Sequence, residues 1–325
     1  MANVDAITKV LSGLSSVVDV FVYDTSRDSD GGAWRHRCQA LSWYNEPLNT
    51  ATRGKTREFP ALALIVAATN KVTIYDLTDS SVPMWMVFEA NASGTRMIYG
   101  DATVIPIAST RMLNGLLVVA AKDGTGAGWI STVNFISEKN LTYYTGGVRE
   151  WITLILNRNG RSSTEYTLDA SRPIVDSSCN DVAMTVIDIA PVDQDTGLPV
   201  PTIAVFTDGG VSVIDGVAGV GTVVDQVYTG YTMRNGDITN GRIIWETPQG
   251  GVIFSADITK YAADFTNASI GAHETNYNGT AYYNQPGGGF TTPAPTPTPA
   301  PPAASTGNTA LAAEADGASP DSLAI

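Results

Sequence analysis

Four stretches of this chain repeat one layout, and that repetition constrains the fold more than any other feature. They are 60-PALALIVAATNKVTIYD-76, 114-NGLLVVAAKDGTGAGWISTVNF-135, 200-VPTIAVFTDGGVSVID-215 and 240-NGRIIWETPQGGVIFSAD-257. In each, an apolar run of five to seven residues meets a polar turn built on Asn, Gly or Asp, and an alternating strand follows. Asn and Gly accept the positive φ that tight hairpins require. First strands such as Leu62 to Ala67 and Ile203 to Phe206 are apolar at nearly every position, which predicts neighbours on both faces. Further strands are expected at Met84 to Phe88, Val104 to Ala108, Leu141 to Tyr144, Trp151 to Leu156 and Met184 to Ile189. The run 141-LTYYTGGVREWITLIL-156 reads as another hairpin, closed by Gly146 and Gly147.

Ala67, Ala120 and Ala204 of the first strands lie 53 and 84 residues apart. Units of about 40 to 50 residues fit if the longer interval holds two, the pattern of a β-propeller. The expected fold is therefore all-β, a propeller-like array of repeated antiparallel hairpins, with a β-sandwich pair as the competing architecture. Ahead of it, Val4, Ile7, Leu11 and Leu14 share one face of a short helix, and from Val18 the period changes from 3.6 to two.

Past residue 285 the character changes: 286-PGGGFTTPAPTPTPAPPAASTGN-308 alternates proline with small residues and cannot donate a hydrogen-bond ladder. In polyproline II form, residues 292 to 306 would span about 45 Å. The expected organisation is a helical segment at 1–17, a β domain at 18–285, a linker at 286–308 and, at 309–325, a tail or the start of a further domain.

A net charge of −13 argues against nucleic acid and anionic membrane as partners, because a phosphate-rich surface repels an acidic body. The first twenty residues lack the basic, apolar and small-residue segments of a secretory signal, and no window reaches 18 apolar residues. Without export, the two cysteines read as free thiols, and the Asn-x-Ser/Thr tripeptides at 91, 140, 267 and 278 carry no meaning as glycosylation sites.

The stretch 24-DTSRDSDGGAWRHRCQALSWYNE-46 concentrates chemistry: one of two histidines, one of two cysteines and two of six tryptophans. Asp28, Asp30 and Gly31 start like a calcium loop but lack its further oxygen ligands and closing Glu. The run Gly31 to Trp34 matches the end of an Asp-box, except that Asp28 stands one residue too far away and no second copy follows. His36 and Cys38 would share a face on a strand, yet no orienting third group or oxyanion hole is marked. No catalytic residue is assigned.

The Arg and Trp side chains carry the stronger reading, since both types are enriched at interface hot spots. With 52-TRGKTREF-59, six of the 19 Lys and Arg fall between residues 27 and 57. Arg27, Trp34, Arg35, Arg37, Trp43, Arg53 and Arg57 are the candidate contact residues, for self-association or an acidic neighbour. The bland alternative is that these arginines satisfy buried carbonyls and carboxylates within long loops. In 191-PVDQDTGLPVP-201, Asp193, Asp195 and Gly197 have a calcium-loop spacing with only two carboxylates, so an ordinary turn is the better reading. No cofactor is expected. His273 stands alone in a polar stretch and receives no role.

The segments 18-VDVFVYDTSRDSDGGAWRHRCQALSWYNE-46, 51-ATRGKTREFPALALIV-66, 71-KVTIYD-76, 83-PMWMVF-88, 180-NDVAMTVI-187 and 198-LPVPTIAVFTDGGVSVI-214 together resemble the N-terminal region of large virion-associated proteins of marine bacteriophages. The resemblance covers most of residues 18 to 225 and carries no catalytic signature. It implies a propeller-type module followed by variable, often lectin-like, domains; no lectin domain is recognisable after the linker here. It further implies a non-enzymatic, tail-associated structural protein of the phage particle, made in the host cytoplasm without a signal peptide. Other tail proteins, further copies of itself and a host surface glycan or receptor are the implied partners. The alternatives are a carbohydrate-active propeller enzyme, glycosidase or lyase, and a cellular interaction scaffold.

Overall fold

The computed structural model describes residues 4–89, 97–98, 106–122, 128–160, 166–228, 232–247 and 252–266. Residues 104 and 105, His273, the linker and the tail lie outside these. The chain is all-β, with one short helix ahead of the strands, α1 (Val4–Ser12). Its strands form four successive meanders. The first sheet holds β1 (Val17–Asp24), β2 (Leu62–Ala68), β3 (Lys71–Asp76) and β4 (Met84–Glu89). The second holds β5 (Ile107–Leu113), β6 (Leu116–Lys122), β7 (Gly128–Asn134), β8 (Asn140–Tyr144), β9 (Gly147–Trp151) and β10 (Tyr166–Asp169). The third holds β11 (Cys179–Thr185), β12 (Thr202–Thr207), β13 (Gly210–Ile214) and β14 (Val223–Val227); the fourth, β15 (Arg234–Thr239), β16 (Arg242–Thr247) and β17 (Val252–Asp257). A two-residue strand, β18 (Phe265–Thr266), returns to pair in parallel with β14.

All four repeated stretches are antiparallel pairs: β2 with β3, β6 with β7, β12 with β13 and β16 with β17. Two of their Asn-Gly dipeptides do a job one step earlier in the chain. Asn114 and Gly115, at φ 50° and 73°, form the two-residue loop between β5 and β6. Asn240 and Gly241, at 48° and 71°, do the same between β15 and β16. Both central φ values are positive, as the hairpin twist demands.

The sheets stack face to face, and strand alternation assigns each residue its neighbour. On β6, Leu117, Val119 and Ala121 join the core shared with the first sheet, while Val118 and Ala120 join the core shared with the third. On β12, Ile203 and Val205 look toward the second sheet, and Ala204 and Phe206 toward the fourth. This is why these strands are apolar throughout from Leu116 to Ala121 and from Ile203 to Phe206. β16 instead alternates: Ile243 and Trp245 are buried against the third sheet, while Arg242, Ile244 and Glu246 between them are only half-buried. The first strands β1, β5, β11 and β15 lie beside one another in that order, which gives the array its propeller-like form.

Several expectations shift. Among the described residues, the 84-residue interval holds no extra sheet; β8, β9 and β10 extend the second sheet to six strands. The strand expected at Trp151 to Leu156 ends at Trp151, because Glu138 accepts the N–H of Ile155 and Ser42 that of Leu156, turning the backbone into a 3₁₀ turn at Ile155–Asn157. The strand expected at Met184 to Ile189 is β11, which starts earlier and stops at Thr185, its last rung with Thr202 on β12. The strand expected at Val104 to Ala108 is described from Ile107, as β5. Of the four residues expected on one helix face, Ile7 and Leu11 on α1 and Leu14 just past its end pack on the first sheet, but Val4 is exposed and the helix ends at Ser12.

Candidate functional site

The chemistry-rich loop after β1 folds as 3₁₀ turns at Thr25–Arg27 and Ala33–Ala40 and packs between the first two sheets. Asp24 caps the first turn by accepting the N–H of Ser26. Three of its seven candidate contact residues are not at the surface: Trp34 and Trp43 are 0% exposed and Arg53 1%. Large aromatic rings gain more by burial than anything nearby offers at the surface. Trp34 packs on Phe59, and Trp43 meets Trp85 and Phe135 edge to face. Trp34 donates to Asp28 at 2.7 Å and Trp43 to the Phe135 carbonyl at 2.8 Å.

Asp28 is also buried. It accepts from the Tyr23 hydroxyl at 2.5 Å and from the N–H of Asn114 at 2.7 Å, so one carboxylate ties β1, the loop and the β5–β6 turn together. Burial raises its pKa despite these donors, and burial likewise pushes Tyr23 well above its ordinary value.

Arg53 shares Glu46 with a residue outside the candidate set, Arg158. Glu46 lies 2.8 Å from Arg53 Nε and 2.7 Å from Arg158 Nη1, all three side chains under 5% exposed. The guanidiniums spend their other protons on the carbonyls of Trp85, Arg57, Val87 and Thr52. Burial lowers Arg53 to about 10. For these residues the role is loop stitching.

The remaining candidates form a basic rim. Arg27 and Arg57 are exposed. Arg35 is half-buried on Glu58 and the Phe59 carbonyl, and Arg37 pairs with Asp30 at 3.1 Å. His36 is exposed and meets Glu58 at 2.9 Å. Cys38 points the other way, into the core, where burial pushes its thiol up to about 12. In a 3₁₀ turn the two do not share a face, so the geometry of a nucleophile and its base is not formed. Asp195 pairs with Lys139 at 2.5 Å, and Asp193 accepts the N–H of Asp195 at 3.0 Å, the pattern of an Asx turn. Among the described residues, no three His, Cys, Asp or Glu side chains are grouped to hold a metal ion.

A second cluster lies where the first strands converge, and sequence reasoning missed it. Each first strand carries a register shift near its start, ending at Asp19, Ser109, Asp181 and Asp237. Bulges re-aim side chains, and here three of the four reach the next sheet. Asp19 Oδ2 accepts the N–H of Thr110 on β5 and the Arg111 guanidinium, each at 2.8 Å. Ser109 donates to Asp181 on β11 at 2.6 Å, and Asp181 Oδ2 accepts the N–H of Gly236 on β15 at 2.8 Å. Burial raises the Asp181 pKa, against the lowering pull of Arg111. The one sequence signal was an Asp immediately before a β-branched residue at the head of a strand: Asp19-Val20, Asp181-Val182 and Asp237-Ile238.

No family model and no curated protein matches the sequence. Among solved structures, the chain is similar to the computationally designed protein Ika8 at 11% identity and a TM-score of 0.31, over 68% of this chain and 61% of that one. It thus spans about three fifths of the designed protein. Kluyveromyces lactis Hsv2 aligns at 10% identity and 0.23, over 64% and 75%, and human WBSCR16 at 10% and 0.22, over 77% and 91%. TM-scores this low carry no argument about fold or function. Among the described residues, no helix is long and apolar enough to cross a membrane.

Proposed function

We propose that this chain is a structural module of a bacteriophage particle, tail-associated, which docks to neighbouring particle proteins through the basic rim. The observation that carries the reading is the division of labour in the 24–58 loop. Its tryptophans and Arg53 are spent on the core, while Arg27, His36, Arg37, Lys55 and Arg57 stay exposed on a body of net charge −13. Arg37 and Lys55 are about half exposed in their pairs with Asp30 and Asp79, and of the two pairs Lys55–Asp79 is the more open, so a partner's carboxylate can replace Asp79 there at little cost. The resemblance over residues 18 to 225 supports the same reading. Mass spectrometry of purified particles tests it: the protein should be present, and the charge reversals Arg37→Glu and Arg57→Glu should lower its incorporation without lowering its melting temperature. Particles lacking the protein would overturn the proposal.

A second reading, a carbohydrate-active enzyme, has one observation in its favour. Asp19 and Asp181 both meet the Ser109 hydroxyl, at 3.1 and 2.6 Å. Their oxygens are therefore no more than about 6 Å apart, near the carboxylate separation of retaining glycosidases. Release of reducing sugar from host polysaccharide by the purified protein, abolished in Asp181→Asn, would establish it; inactivity across a broad panel of polysaccharides would remove it.

A further inference from the structure

Among the described residues, successive sheets close cores between them, whereas the outer face of the first sheet has no sheet beside it. There Val20, Leu64, Val66, Leu77 and Val82 are buried, and the covering element is α1, through Ala6, Ile7, Val10 and Leu11, with Leu14 just past its end. An apolar sheet face of this kind needs a cover at all times. Yet not one side chain of α1 is buried, so its contacts with the sheet are half-buried ones. It joins β1 through residues 13–16, and Ser16 sits at φ 61°, a left-handed conformation that a non-glycine residue adopts at a cost.

We propose that α1 exchanges between two copies of the chain, each helix covering the first-sheet face of the other. The occupant is a second copy because the exchange keeps every native contact between α1 and its face, and asks only that the hinge open. A short strained hinge beside an element with no fully buried side chain is the usual setting for such a swap. Opening lets Ser16 leave the left-handed region, so hinge strain favours the exchanged form. The remainder of the array is untouched, since the cores between successive sheets contain no residue of α1. This inference is independent of the phage reading above: it concerns the purified chain and holds or fails without any particle.

The test uses the full chain. Ala6 and Ser81 line one cavity at the edge of α1, and the native thiols Cys38 and Cys179 are buried. In an Ala6→Cys, Ser81→Cys variant oxidised with copper phenanthroline, exchange yields covalent dimers on a non-reducing gel, increasing with protein concentration. A cross-link confined to monomers at every concentration would overturn the proposal. Sedimentation equilibrium supplies a second measurement. Ser16→Gly removes the strain from both closed monomers that form a dimer and should lower the dimerisation constant about a hundredfold, twice the left-handed penalty. A parent chain that sediments as a monomer throughout, or a Ser16→Gly chain that dimerises as well as the parent, would equally overturn it.

Discussion

The Asp181 carboxylate accepts the backbone N–H of Gly236 at 2.8 Å, across the boundary between the third and fourth sheets. Through Ser109 the same carboxylate reaches the second sheet. Asp237 holds the equivalent position in the fourth sheet but is exposed and meets only the N–H of its neighbour Ile238. Asp181→Ala leaves the N–H groups of Gly236 and Val182 without this acceptor and is expected to cost about 2–3 kcal/mol. Asp237→Ala should change stability by no more than about 0.5 kcal/mol. Urea denaturation of both variants checks the contrast.

Trp34 is wholly buried and hydrogen-bonded to Asp28, whereas Arg57 lies on the rim. Trp34→Ala opens a large cavity and strips Asp28 of a donor, for an expected loss of about 3–5 kcal/mol. Arg57→Ala should stay within about 0.5 kcal/mol of the parent. Thermal melts of the two separate a core role from a surface role at this loop.

Glu46 is the one carboxylate between the buried Arg53 and Arg158. Glu46→Gln keeps its shape but leaves two guanidiniums facing each other in the interior. A loss of about 3–5 kcal/mol is expected, more than Lys55→Ala at the exposed Lys55–Asp79 pair, which should cost under about 1 kcal/mol. Chemical denaturation midpoints decide between them.

Burial pushes Asp215 up to about 6, and burial with the nearby Asp264 carboxylate pushes Asp225 up to about 6. A carboxyl whose pKa is raised on folding favours the folded state at low pH, and that contribution is lost as pH rises through the folded value. Stability from these two groups should therefore decline between about pH 4 and pH 6. Asp169, lowered to about 2 by hydrogen bonds from Ser171 and Arg172, acts in the opposite sense and only below pH 4. Melting temperatures across pH 4–7 should fall in the parent and fall less steeply in Asp215→Asn, Asp225→Asn, where the raised Asp28 and Asp181 remain.

Cys38 and Cys179 are both buried free thiols whose pKa burial raises, Cys38 to about 12. A thiol-reactive dye should titrate neither in the native protein and both after unfolding in denaturant. Fast labelling of Cys38 in the native state would show that the loop opens.

The four hairpins, the two-sided apolar strands and the N-terminal helix were legible in the sequence because each depends on local periodicity and turn chemistry: β6 and β12 announce two covered faces by carrying no polar residue within the run from Leu117 to Ala121 or Ile203 to Phe206. Where strands stop was less legible. Trp151 to Leu156 reads as a strand, and only Glu138 and Ser42, more than a dozen residues away in sequence, divert its backbone. The candidate site divided in the same way. The sequence could place Trp34, Trp43 and Arg53 in one loop but not orient them. A tryptophan or arginine serves a core or an interface equally well, and the choice falls to partners such as Phe135, Glu46 and Arg158, brought in from distant strands. Nor could it align Asp19, Ser109, Asp181 and Gly236, which lie up to 217 positions apart and meet only because the first strands of successive sheets stand side by side. Local pattern determined the elements; long-range packing decided which side chains face which.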